Sequence, residues 1–75
     1  MTYFLIVYNR LTGDVSVSPF TDAERHLALS RRFELEKQLR ELPEYEIVVL
    51  GGANLEQIKR THGRYFKNVS ELAAR

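Results

Sequence analysis

Hydrophobic and polar positions alternate with three different periods along this chain, and the changes of period mark its elements. Tyr3 to Tyr8 is an unbroken run of aromatic and branched residues, which reads as a strand covered on both faces. Asn9 to Asp14 follows, and its Thr12-Gly13-Asp14 is turn chemistry with a glycine free to adopt positive φ. Val15-Ser16-Val17-Ser18 then alternates strictly, as a half-exposed strand does, and Pro19 marks it as an edge. The two runs predict a β-hairpin.

Thr21-Asp22-Ala23-Glu24 has the spacing of a capping box and predicts a helix start. Nothing breaks the pattern until Pro43, so the helix is expected to run to about Leu42. Tyr45 to Leu50 predicts a third strand, apolar through its second half, buried on both faces and ended by Gly51-Gly52. Asn54 with Gln57 starts a short helix carrying Leu55 and Ile58, with Gly63 as its expected C-cap. Asn68 with Glu71 starts a last turn or two of helix. The expected fold is a small three-stranded mixed α/β sheet in the order ββαβαα, with a long crossover helix and two short C-terminal helices. A right-handed crossover makes the third strand parallel to one hairpin strand. Sheet order 2-1-3 puts the most apolar strand in the middle and leaves Tyr45 to Leu50 as an unpaired apolar edge.

The long helix carries two apolar stripes. At about 100° per residue, Leu27, Ala28, Leu35, Leu39 and Leu42 fall within roughly 120° of one another, while Leu29 and Phe33 project about 100° or more from the centre of that stripe. One stripe covers the sheet. The other either meets the C-terminal segment of the same chain or is a self-association surface, which makes Leu29 and Phe33 the candidate partner-binding residues.

Length and composition narrow the classes of function. Seventy-five residues make one small domain, 1-75, with a thin core that association would supplement. With no cysteine, disulfides and cysteine-held metals are excluded. No apolar run approaches the ~18 residues of a membrane span, and the start lacks the basic region and cleavage site of a secretory signal. A cytoplasmic location and no membrane partner are therefore expected.

The net charge of +1 is too balanced to imply a polyanion partner, but its distribution is uneven. Residues 1–50 carry six basic and eight acidic side chains (−2), and residues 51–75 carry five and two (+3). Lys59, Arg60, His62, Arg64, Tyr65 and Lys67 form a basic and aromatic stretch suited to phosphate contacts and base stacking, so nucleic-acid binding is the alternative reading. Its bland counterpart is a solvated basic face in which Tyr65 and Phe66 anchor the chain to the core.

Signals for chemistry are sparse. Gly51-Gly52-Ala53-Asn54 leads from a strand into a helix but lacks the glycine spacing of a dinucleotide site and the Gly-Lys-Ser or Gly-Lys-Thr of a phosphate loop. His26 and His62 have no second ligand at i+3 or i+4, and no serine sits in an elbow motif. No catalytic residue, metal or cofactor is expected. The reading is a non-enzymatic binding or regulatory module acting through self-association or a protein partner.

Two resemblances bear on this. The hairpin from Phe4 to Ser18, with its Asn9 and Gly13 turn, resembles the opening of GIY-YIG nuclease domains, in which two strands flank a similar turn, and the resemblance implies catalysis by tyrosines on both strands, an arginine on the next helix and a metal-binding glutamate. Ser16-Val17-Ser18 stands where that family has Tyr-Ile-Gly, and only Arg25 has an approximate counterpart. The whole pattern, with Thr61-His62-Gly63-Arg64-Tyr65-Phe66, also looks like a group of short actinobacterial proteins, a likeness that implies no activity.

Overall fold

A computed structural model describes residues 1–66. Strands β1 (Thr2–Asn9) and β2 (Val15–Phe20) form the hairpin, helix α1 (Arg25–Gln38) crosses over, strand β3 (Tyr45–Gly52) returns, and helix α2 (Leu55–Thr61) runs into a 3-10 turn at Gly63–Tyr65. The final helix expected from Asn68 lies outside the described residues.

The sheet order is β2-β1-β3, with β1 in the middle. Ile6 lies between Val17 on one side and Val48 on the other. Both pairings are antiparallel, which corrects the expected mixed sheet. The physical reason is simple: a third strand parallel to β2 but seated beside β1 runs against its only neighbour.

The hairpin turn is fixed by its own polar groups. The Asn9 side-chain oxygen accepts from the backbone N–H of Leu11 (2.9 Å) and of Thr12 (3.2 Å), and the Asn9 carbonyl accepts from Gly13 N–H at 2.7 Å. Gly13 takes φ 80°, where a Cβ would be strained.

Period-two alternation sends the β1 side chains to opposite faces. Phe4 and Ile6 join Ile58, Tyr65 and Phe66 in the buried cluster beneath α2, with Val15, Val17, Val48 and Leu50 packed against it. Leu5 is buried on the other face, where α1 lies. Gly52 allows α2 to approach β3, since a Cβ there would stand 2.8 Å from Ile58 Cδ1.

Five further expectations are corrected. The capping box forms, with Thr21 N–H donating to Glu24 Oε1 at 3.0 Å, but its first turn, Asp22–Glu24, is 3-10, and the α-helix begins at Arg25. Helix α1 ends at Gln38 rather than Leu42, and Leu39 already leaves helical geometry at φ −104°, ψ 14°. A proline ring clashes with the carbonyl four residues earlier, and for Pro43 that residue is Leu39. The chain instead descends through turns closed by Leu42 N–H to Leu39 O (2.9 Å) and Tyr45 N–H to Leu42 O (3.1 Å).

Tyr45 to Leu50 is half-buried rather than buried, because one flank of β3 pairs with nothing among the described residues, and the strand continues through Gly51 and Gly52. Gly63 is not the C-cap of α2. His62 takes that position and donates its N–H to Ile58 O at 2.8 Å, while Gly63 opens the following 3-10 turn without positive φ.

Candidate interaction surface

Helix α1 meets the sheet through a narrow stripe. Ala28 is fully buried, Leu35 and Leu39 are half-buried, and Leu27 and Leu42 of the predicted stripe are exposed, at 47% and 42%. The second predicted stripe faces solvent, with Leu29 37% and Phe33 64% exposed. Lys37 Nζ sits 5.4 Å from the centre of the Phe33 ring, and Arg32 pairs with Glu36 at 2.9 Å beside it. A second exposed pair, Arg31 with Glu34, lies at 3.5 Å. Such surface pairs add at most a few tenths of a kcal/mol each.

The fold decides which way this stripe points. Glu36 and Arg40 line one groove together with Arg10, Tyr45 and Ile47, so their side of α1 overhangs β3. Leu29, Phe33 and Glu36 all project about 80–140° from Ala28 around the helix axis, at 100° per residue. Leu29 and Phe33 therefore stand one layer above the outer edge of β3, which has no strand neighbour among the described residues. An apolar helix stripe and an apolar strand edge make one surface, which periodicity alone does not reveal.

The basic and aromatic stretch is arranged differently. Tyr65 is only 8% exposed and Phe66 2%, both within the core, so neither ring offers an open face to a base. Lys59 is half-buried, Arg60 exposed and His62 half-buried at the end of α2. The side chain of Arg64 and all of Lys67 lie outside the described residues.

A polar cluster links this segment to the sheet, and the sequence reading did not find it. The Tyr65 hydroxyl donates to Glu46 Oε2, and Arg10 Nε lies 3.8 Å from Glu46 Oε1. The Tyr8 ring meets Tyr65 edge-on, at 5.5 Å between centroids and 75° between planes. Glu46 shares a face of β3 with Val48 and Leu50, so the strand alternation held a signal: a carboxylate on a core-facing register needs a partner.

Arg25, the approximate counterpart of the nuclease arginine, lies 5.8 Å from the Tyr3 ring centre. His26 is exposed on α1. The Glu24 carboxyl is shifted by its own capping box. Hydrogen bonding from the Thr21 backbone N–H, then from its hydroxyl, holds it below its ordinary value, and His26 pulls the same way.

Among the described residues no three His, Asp or Glu side chains come together as a metal site would require, and no helix is long and apolar enough to cross a membrane. Compared with known proteins, the chain matches no family, no curated protein and no solved structure.

Proposed function

We propose that this chain is a small non-enzymatic binding or regulatory module that acts through self-association or a protein partner. The observation that carries the reading is the joint exposure of Leu29 and Phe33 above the edge of β3 that pairs with nothing among the described residues. An unpaired strand presents a row of backbone donors and acceptors, which pairs readily with another strand. The core supports the same reading from the other direction. Only seven hydrophobic residues are buried among those described, a small number for independent stability, so association would add to it.

The test is a light-scattering series from about 1 µM to about 1 mM, the range in which weak association shows. The expected result is a mass rising from 8.8 kDa toward twice that value. A mass fixed at 8.8 kDa over the whole range overturns self-association.

A further inference from the structure

We infer that the β3 edge is the two-fold axis of a homodimer in which β3 pairs antiparallel with β3 of a second copy, and Phe33 of one α1 meets Phe33 of the other. This rests on the self-association reading above and names its surface and occupant.

The choice of occupant follows from the two levels of the exposed surface. A lone peptide strand added to β3 would cover its edge and leave Leu29 and Phe33, one layer higher, in water. A second copy brings a strand and a helix at the same two heights. A two-fold axis perpendicular to the sheet keeps both α1 helices on one face, as an isologous contact requires.

The register follows from the elements themselves. Helix α1 runs against β3: Arg25 lies by Tyr3, whose β3 neighbour is Gly51, and Arg40 shares a groove with Tyr45 and Ile47. Phe33 is about 12 Å from Arg25 along the helix at ~1.5 Å per residue. Val48 is about 10 Å from Gly51 along the strand at ~3.4 Å per residue. Phe33 thus stands above Val48, near the midpoint of Tyr45–Gly52. One axis at Val48 sets Val48 against Val48 and Ile47 against Val49 in the strands, and centres the two helices on Phe33.

Charge agrees with that centre. With α1 antiparallel to its copy about Phe33, Lys37 comes level with Leu29, where its aliphatic stem covers an apolar neighbour, and Glu36 with the neutral Ser30. Within the stretch of α1 that overlaps its copy about this centre, Ala28 to Gln38, no two like charges are set level. The area is adequate as well. A strand of about 27 Å and two layers each about 10 Å deep give a face of roughly 500 Å² in projection. Accessible area exceeds projected area, which brings this near the ~600–800 Å² per partner of the smaller stable interfaces.

The chain has no cysteine, so single-cysteine variants of the full chain report the axis cleanly. Phe33→Cys is expected to oxidise to a covalent dimer at concentrations where the unaltered chain is dimeric. Leu27→Cys, on the opposite flank of α1, is expected to remain uncross-linked. Phe33→Glu is expected to weaken the dimer by about tenfold or more while the isolated chain melts as before, because the residue is exposed. A dimer that cross-links through Leu27→Cys and not Phe33→Cys, or that is indifferent to Phe33→Glu, overturns this inference and leaves self-association standing. A strict monomer up to about 1 mM overturns both.

Discussion

The two outer strands of this sheet flank the same central strand and are treated in opposite ways. β2 alternates Val15, Val17 with exposed Ser16, Ser18, and carries Pro19, which has no N–H to offer. β3 carries Ile47-Val48-Val49-Leu50 with no proline, lysine or serine, and an apolar helix stripe stands above it. Natural sheets blunt edges that are meant to stay open, with charge, proline or bulges. Proline interrupts the β2 edge, whereas the one charge on β3, Glu46 near its start, is taken up by Tyr65 and Arg10 and leaves Ile47 to Leu50 unguarded, so the contrast teaches where a partner is expected.

The harshest test of the contrast places the same charge on each strand. Val48→Asp sets a carboxylate beside Ile6 and the buried cluster and is expected to cost about 3 kcal/mol or more, enough to abolish a cooperative melt in so small a domain. Ser16→Asp on exposed β2 is expected to change stability by no more than about 0.5 kcal/mol. Equal melting temperatures for the two variants would erase the difference between the strands.

Hydrogen exchange sharpens it without mutation. Raising the concentration from about 1 µM to about 1 mM is expected to slow exchange at outward-facing β3 amides by about tenfold, while β2 amides keep their rates. Protection that rises at β2 instead would move the partner to the wrong edge.

A smaller effect concerns the tie that seats β3 against the C-terminal turn. Tyr65→Phe removes the hydroxyl that donates to Glu46 and is expected to cost about 1–3 kcal/mol in a thermal or urea melt, without creating a cavity. A neutral result would mean that Glu46 is satisfied without the Tyr65 hydroxyl.

The smallest effect lies beyond β2, at the start of α1. Because the Glu24 carboxyl titrates below its ordinary value in the folded chain, its contribution is present above the unfolded pKa and is lost as pH falls through the folded one. Glu24→Gln is expected to flatten slightly the acid limb of a stability profile, by lowering stability a little at neutral pH and leaving it near unchanged below the folded pKa. A steeper acid limb in that variant would contradict the assigned direction.

How much of this was legible beforehand depends on the range of the interaction. The hairpin, the edge character of β2 and the Asn54 cap, whose side chain accepts from Gln57 N–H at 2.9 Å, are local and could be read directly. The end of α1 was missed because the influence of Pro43 reaches back to Leu39, beyond the residue immediately before it. The two stripes of α1 were visible as angles, but an angle has no reference until the sheet lies beneath it. Only then does Phe33 fall on the β3 side. The Glu46 and Tyr65 pair spans 19 residues and had no local trace apart from one carboxylate in an apolar strand.

The central position of β1 also sets the order in which the sheet is completed. Ile6 meets Val17 across eleven residues of chain but meets Val48 across forty-two, since its two neighbours come from opposite ends of the fold. Closing the longer loop costs more entropy and comes later, so the hairpin forms while the far side of β1 is still bare. During that interval the most apolar strand of the chain is itself an edge, open along Tyr3 to Tyr8. Refolding is then a race between capture by β3 of the same chain and collision with another hairpin. Its yield should fall with protein concentration, and a yield independent of concentration would show that β3 arrives first.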